Sequence, residues 1–591
     1  MKITRVFDVL DKISQQPDNP TLLNRKENKV WVPYSTSDFI EHVQQVSYAL
    51  MRLGIKKGDV AAIISTNRPE WNFVDYGCQQ AGIVTAPIFP TISITDLKFI
   101  LNHCEAKVVF VSDKSLYAKI ASIEKDLPHI QYVFSFNPVE GVKPFSEFLA
   151  IGKNHPQKEK LTEIKNAIKP EELLTILYTS GTTGIPKGVM LSHTNLISNV
   201  LACKDIIPFE TSWKSLSFLP LNHVYERMVN TMFIYQGIST YYLEQLELLG
   251  DTAREVHPTV FVAVPRLIER VHERIMSAGE KLTGFKRSIF NWAVKLANAY
   301  EGEGCHGFTY NLQRALADKL VYTKWRGAVG GNLRYLISGG AALNAKLERV
   351  FSCAGITILQ GYGLTETSPV ISVNRLGKNN AFYGTVGPVI EGVEVKIAEE
   401  DGEILMRGPN MTLGYFKNPE ATAEMIDADG WLHTGDVGTF VENRFLKITD
   451  RKKEIFKTSS GKYIAPMAIE NKIKECKFVE NCMVIGEYQK FASALIVPSS
   501  ANFKEYCESN GIALKQGEDL SENTELKRII HEHIKHINKS LAPYEQLKRC
   551  ELVSGEWTVD GGEVTPKLSL KRKVIKEKYA AVIDKIFAVE E

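Results

Sequence analysis

Tyr178-Thr179-Ser180-Gly181-Thr182-Thr183-Gly184-Ile185-Pro186-Lys187-Gly188 packs four hydroxyl side chains besides the tyrosine, three glycines, a proline and a lysine into eleven residues. The apolar run Leu173–Tyr178 ahead of it reads as a buried strand, and Val189-Met190-Leu191 resumes that pattern after it. A loop of this kind between core strands can wrap a polyphosphate. Glycines let backbone N–H groups approach the oxygens, hydroxyls donate further bonds, and Lys187 adds a point charge. A Gly/Thr-rich hairpin turn is the plainer reading, so the choice rests on partners elsewhere. The string G-x-x-x-x-G-K-[ST] is absent, which disfavours kinases and ATPases of the P-loop class.

Outward from this loop the chain alternates helix and strand patterns. Ser35–Asp38 offers N-caps for a helix through 39–54, followed by strands at Val60–Ile64, 83–89 and 107–112 and helices at 70–80 and 95–103. Such alternation predicts βαβ units and parallel sheet, an α/β fold class. Residues 135–172 read as surface connections. Downstream, Ser192–Asn195 can cap a helix, Phe218–His223 reads as a strand ending in a loop, and 266–325 reads as a helical insertion whose aromatics are core. Strands are expected at Leu333–Ser338 and Ile356–Leu359, short β pieces from about 384 to 449, and a new α+β unit from 450. The expected domains are therefore 1–449 and 450–591.

With 591 residues, 44% hydrophobic and 24% charged, the chain has ordinary globular proportions. Its net charge of +2 gives no reason to expect nucleic acid as a partner. Nine scattered cysteines without a CxxC pair suit free thiols in a reducing compartment. Asp8, Asp11 and Lys12 interrupt any signal-peptide core, and no apolar run reaches about 18 residues. The expectation is a cytoplasmic protein, with attachment to the inner membrane face and homodimerisation left open.

Four further stretches can carry chemistry. Tyr362-Gly363-Leu364-Thr365-Glu366 follows a strand end, where open α/β sheets place ligands. Tyr362 can stack on a base, Thr365 can donate to a phosphate and Glu366 can hold Mg²⁺, although a turn with an N-cap threonine would look alike. Gly430–Asp436 places a carboxylate at the end of a turn. It is either an acceptor for vicinal ribose hydroxyls or a simple β-turn Asp. Asp450-Arg451-Lys452-Lys453 is a charged hinge or an exposed loop. Gly561–Ser569 holds Lys567 on a glycine-led turn, either as a mobile cation or as a surface lysine.

Taken in this order, YTSGTTGIPKGV, QGYGLTETS, TGD, DRKKEI and TPKLS resemble the adenylate-forming (AMP-binding) superfamily. Pro220–Arg227, Val264–Arg270, Ile448–Glu454 and Ser460–Pro466 are similar to its long-chain fatty-acid–CoA ligases. The resemblance implies a large N-terminal domain of two α/β subdomains plus a β-barrel-like one, then a small mobile α+β C-terminal domain. It also implies a two-step reaction, in which fatty acid and Mg·ATP give acyl-AMP and diphosphate, and coenzyme A then displaces AMP. By the same resemblance Thr179, Ser180, Gly181, Thr182, Thr183, Gly184 and Lys187 grip the phosphates, and Thr179 and Glu366 bind Mg²⁺. Thr365 touches the α-phosphate. Gly339, Gly340, Ala341, Gln360, Gly361, Tyr362, Gly363 and Leu364 belong to the nucleotide site, and Asp436 and Arg451 to the ribose. Lys567 bridges the carboxylate and the α-phosphate, Lys453 is the hinge, Gly461 lines the pantetheine route, and His223 either packs beside the acyl-adenylate or is structural. Many family members have glycine where this chain has Pro566, and Lys571 is the competing catalytic lysine. Alternatives are an acyl-AMP ligase serving a carrier protein, a ligase for medium-chain or other acids, and a non-catalytic binder.

Overall fold

In the computed structural model the described residues are 2–180, 185–377, 379–514, 518–558, 561–564 and 570–588. Val60–Ile64 is buried along its whole length and pairs in parallel with Val84–Ile88 on one side and Ala106–Val111 on the other. Parallel neighbours need crossovers, here the helices Pro69–Gln80 and Ile94–His103, which cover the faces of the sheet and demand a continuous apolar strand. Eight strands make this sheet, ending in the antiparallel pair Leu173–Ser180 and Pro186–Ser192 and the edge strand Gly414–Tyr415.

A second eight-stranded sheet runs from Val370–Val373 through Thr357–Gly363, Tyr335–Ser338, Val260–Ala263, Lys214–Ser217 and Ser239–Tyr242 to Leu23–Glu27 and Val30–Tyr34. Only its two edge strands pair antiparallel. The helix Val224–Gln236 packs into the core that the two sheets share, and its flanks Val224, Met228, Met232 and Ile234 are buried there.

Two segments differ from the sequence reading. Within 135–172, Phe145–Asn154 is a helix lying against Thr36–Arg52, with Phe145 and Phe148 buried. A Cβ on Gly152 would stand 1.8 Å from the Gln45 carbonyl oxygen, so only glycine permits that approach. The strand expected at Phe218–His223 lies earlier, at Lys214–Ser217. Proline at 220 cannot donate to a ladder, and 218–223 turns into the following helix. The helical insertion is present as Pro265–Glu280, Gly284–Asn298, Phe308–Ala317 and Thr323–Ala328. Phe290, Tyr300, Tyr322 and Trp325 are core, whereas Phe285 and Phe308 are exposed.

The chain divides into two units. One comprises residues 1–396, 405–434 and 440–446, the other 397–404, 435–439 and 447–591. The second unit is built on the sheet Val479–Ile485, Ala492–Pro498 and Leu547–Leu552. Cys482, Val484, Ala494 and Ile496 face one core; Met483, Ile485, Leu495 and Val497 face another. That period of two buries both faces of a small sheet.

Candidate active site

In the first unit the hairpin of Leu173–Ser180 and Pro186–Ser192 sets Thr179 opposite Lys187 and Tyr178 opposite Gly188. Gly181, Thr182, Thr183 and Gly184 lie outside the described residues, and Ser180 closes the described part of its strand. Lys187 Nζ stands 5.0 Å from the centre of the Tyr415 ring, and the Tyr415 hydroxyl donates to Glu366 Oε1 at 2.9 Å. Tyr415 therefore joins two residues far apart in sequence. Burial, reinforced by the neighbouring Glu366 carboxylate, pushes the Tyr415 phenol up, so it remains a donor. The segment around it is pinned on both sides. Gly414 and Tyr415 pair with Met190 and Val189, the Thr412 N–H donates to the Glu366 carbonyl at 2.8 Å, and Asn195 Nδ2 donates to the carbonyls of Pro409 and Met411. Sequence reading missed Tyr415. The only signal was an aromatic beside Gly414 in a polar stretch.

The 360–366 motif does not lie in a turn at the end of a strand. The strand runs on through Gly363, and a short 3-10 turn follows at Thr365–Thr367. A Cβ on Gly363 would meet the Pro369 carbonyl oxygen at 1.7 Å, so the glycine is required by packing. Ser338 and Gln360 are register partners, both buried, and Ser338 Oγ and Gln360 Oε1 have no hydrogen-bond partner among the described residues. Ser338 ends its strand and Gln360 lies beside it within the neighbouring one; unsatisfied polar atoms near the carboxyl end of a strand are where a ligand is expected. Gly339, Gly340 and Ala341 follow Ser338 directly, and Gly361 and Tyr362 follow Gln360, with Leu364 and the buried Thr365 just beyond.

His223 is the N-cap of Val224–Gln236, its Nδ1 accepting from the Tyr225 N–H at 3.1 Å. The same helix buries two ionisable groups to which the sequence reading gave no role. Glu226 accepts from the Ser217 hydroxyl at 2.6 Å, and burial pushes its carboxyl up to about 8. Arg227 donates to both Asp75 oxygens and to Thr175 and Thr85. Beside the 335–338 strand lies a cavity of about 790 Å³, walled by Phe261, Ala263 and Leu336 from the sheet and by Ile268, Phe290 and Trp325 from the helical insertion.

In the second unit Asp436 sits within the strand Leu432–Val441, not at the end of the 427–430 turn. Gly435, at φ +72°, turns its N–H onto Glu403 Oε1 at 2.9 Å. Arg451 Nε stands 3.5 Å from Asp436 Oδ1, with the arginine half-exposed. Lys452 pairs with Asp401 and Glu403 at 2.6 and 2.7 Å, and Glu454 with Arg572, which also clasps Glu470. Lys453 between them is exposed, and Gly461 takes φ +79° in the following turn. Burial pushes the Asp450 carboxyl up to about 6. Lys571 caps the helix Arg572–Lys578, while Lys567 lies outside the described residues.

Glu366 and Thr179 offer a carboxylate and a hydroxyl, hard oxygen donors that suit Mg²⁺. Among the described residues no group of three or more His, Cys, Asp or Glu is placed to hold a metal ion. An ion held by one carboxylate would complete its shell with water and phosphate oxygens, as Mg²⁺ does.

Residues 10–416 match the model of the AMP-binding enzyme family, and 453–591 that of the AMP-binding enzyme C-terminal domain. The chain is 34% identical to long chain acyl-CoA synthetase 6, peroxisomal, of Arabidopsis thaliana, over 91% of this chain and 79% of the relative. It is 32% identical to the long-chain-fatty-acid–CoA ligase FadD15 of Mycobacterium bovis, over 97% and 96%. Among solved structures, the adenylation domain of a carboxylate reductase from Mycobacterium chelonae superposes with a TM-score of 0.78 at 20% identity, over 99% of this chain and 91% of that one. A Mycobacterium tuberculosis fatty acyl CoA synthetase gives 0.60, also at 20% identity, over 98% and 99%.

Proposed function

The chain belongs to the AMP-binding enzyme family, and from that premise we propose that it is an AMP-forming long-chain fatty-acid–CoA ligase. The observation that carries the reading is the Lys187–Tyr415–Glu366 group beside the loop hairpin, together with the unsatisfied Ser338 and Gln360. A fatty carboxylate oxygen attacks the α-phosphorus of ATP, and diphosphate leaves with the bonding electrons. The coenzyme A sulfur then attacks the acyl carbonyl carbon, and AMP leaves. Substrates are thus ATP, a fatty acid and coenzyme A.

Each proposed role follows from charge. The first step brings anions together, so donors and cations must meet the developing phosphate charge. Lys187 and the 179–184 loop hold the β- and γ-phosphates, and Thr365 donates to the α-phosphate. Mg²⁺ on Glu366 and Thr179 would polarise phosphoryl oxygens. Asp436 and Arg451 hold the ribose. Lys567 approaches the carboxylate and α-phosphate; opposite charges about 4 Å apart gain about 4 kcal/mol at an effective dielectric near 20. The domain boundary falls near 450, with Lys453 as the hinge between half-reactions and Gly461 on the pantetheine route. The cavity of about 790 Å³ takes the acyl chain, within the usual range for ligand pockets.

The test is coenzyme-A-dependent AMP release across acids of increasing chain length. Rising turnover towards long chains is expected; a preference for acetate or aromatic acids would overturn the substrate class. AMP release without coenzyme A would favour transfer to a carrier. Lys567→Ala should cut fatty-acid-dependent pyrophosphate exchange about 100-fold or more, since about 2.7 kcal/mol is enough for that, while sparing thioester formation from supplied acyl-AMP.

A further inference from the structure

The cavity of about 790 Å³ is apolar along the sheet and cationic at one end. Five cations line it, Arg254, Arg270, Arg274, Lys286 and Lys324, against one acid, Glu247. The acids beside them are engaged elsewhere. Glu269 and Glu273 reach Arg266 at 3.2 and 4.0 Å, and Asp251 pairs with Arg254. Arg270, Arg274, Lys286 and Lys324 make no ion pair or side-chain hydrogen bond among the described residues. Unpaired cations converging on an apolar cavity suit a ligand that carries an anionic group on an apolar body.

The fold fixes the end at which they stand. Ala263, in the cavity wall, is the register partner of Ser338, so one end of the cavity lies level with that unsatisfied hydroxyl. Leu333 and Ile356, also in the wall, precede the amino ends of Tyr335–Ser338 and Thr357–Gly363. From Leu333 to Ser338 is about 16 Å at about 3.3 Å per residue. The cations gather towards the amino end. Arg254 follows Ala253, whose carbonyl packs on Gly330, ahead of the same strand; a Cβ there would stand 2.3 Å from the oxygen. Lys324 lies in Thr323–Ala328, whose Arg326 donates to the Ala354 carbonyl at 2.7 Å, just ahead of Ile356. Arg274 lies beyond His272 in its helix, and the His272 ring stands 6.4 Å from that of Phe351, in the helix leading to Ile356. Glu247 instead follows the carboxyl end of Ser239–Tyr242. Arg254, Arg274 and Lys324 are exposed, so the cationic end meets water.

We propose that these cations form a second carboxylate site, and that the acids this chain activates include long α,ω-dicarboxylic acids. The inference rests on the acyl-cavity reading above. There the reacting carboxylate belongs at the Ser338 end, so the far end of the chain arrives among Arg274 and Lys324. No bond changes at the second carboxylate, which serves as an anchor. An acid long enough to span the cavity engages both ends, and a shorter one does not. A methyl end gains nothing from the cations.

The full chain is assayed for coenzyme-A-dependent AMP release with hexadecanedioate and with its monomethyl ester, which keeps the chain and removes the second charge. Octanedioate and its monomethyl ester form the short pair. KM for hexadecanedioate should lie about tenfold below that for its ester, and the gap should narrow with added salt. The short pair should differ by less than about twofold. The double variant Arg274→Gln, Lys324→Gln should shrink the ester-to-dicarboxylate KM ratio about fivefold or more. Equal KM values for hexadecanedioate and its ester overturn the proposal, as does a ratio that the double variant leaves unchanged. So does an equal gap in the short pair, since the cations would then steer any dianion without seating its second carboxylate. Palmitate keeps the two readings apart. Palmitate turned over with no preference for the dicarboxylate leaves the ligase standing and removes the second site. Hexadecanedioate that binds more tightly than its ester by calorimetry, with no acyl-CoA from any acid, leaves the site standing and removes the ligase reading.

Discussion

Arg227–Asp75 and Arg451–Asp436 are the same two residue types in opposite circumstances. Arg227 and Asp75 are both almost fully buried, share two hydrogen bonds, and spread further bonds to Thr175 and Thr85. They tie the helix Val224–Gln236 to the strand Leu173–Ser180. Arg451 is half-exposed, and its Nε stops 3.5 Å short of Asp436. One pair is a closed polar knot whose partners are already satisfied; in the other a half-exposed arginine lies 3.5 Å from Asp436 and 3.8 Å from Glu454 and, in the proposed reading, can meet a ligand. If Asp436 and Arg451 hold the ribose as proposed, what separates an architectural ion pair from a binding one is the access of solvent, not the residues.

The largest effect expected from breaking this contrast is on stability. Arg227→Met leaves the Asp75 carboxylate buried and unpaired, which costs about 3–5 kcal/mol. Denaturant unfolding measures it, and the double variant Asp75→Leu, Arg227→Met should recover most of the loss. A double variant as unstable as the single one would mean that the knot matters for more than its charge.

Asp436→Asn should do the reverse. Stability should change by less than about 1 kcal/mol, as for other partly exposed pairs. KM for ATP should rise about tenfold or more, the equivalent of about 1.4 kcal/mol lost with the ribose. An unfolding midpoint that falls while KM stays fixed would place Asp436 with Asp75 as architecture.

A comparable effect comes from pH. Burial pushes the carboxyls of Glu226 and Glu348 up to about 8 each. An acid raised in the fold is protonated there and ionises on unfolding. Its contribution is full below the unfolded value, about 4.3, and is lost as pH rises through about 8. Within that window each group tilts stability downward by about 1.4 kcal/mol per pH unit. Glu226→Gln should remove its share of the tilt; an unchanged slope in urea unfolding between those limits would show that Glu226 is ionised in the fold.

Tyr415→Phe should have an effect of similar size to Asp436→Asn. It keeps the ring under Lys187 and removes the bond to Glu366, worth about 1.5–3 kcal/mol for a charged acceptor in the closed case and less where water substitutes. A loss of about tenfold in adenylation, with thioester formation from acyl-AMP unaffected, would confirm that this tyrosine serves the phosphate side alone.

Much of the fold was legible because it is written in period and punctuation. The parallel strands between Val60 and Val111, the Ser35 and Ser192 caps and the helical insertion follow from local patterns. The errors have a common origin. Phe145–Asn154 packs on Thr36–Arg52 through a helix contact that local polarity hides, and Asp436 lies in a strand because Gly435 bends within it.

By itself the sequence determined the family of the chain, since ordered motifs such as YTSGTTGIPKGV and QGYGLTETS need only be present to be recognised. It also determined which chemistry-bearing side chains were available. Only the tertiary structure decided that Tyr415 joins Lys187 to Glu366, that Arg227 is buried in a knot while Arg451 is half-exposed, and that Phe308, Leu312 and Leu316 face outward. The physical reason is that burial and hydrogen-bond satisfaction belong to contacts between distant segments. No single stretch of chain encodes how much water its own side chains will meet.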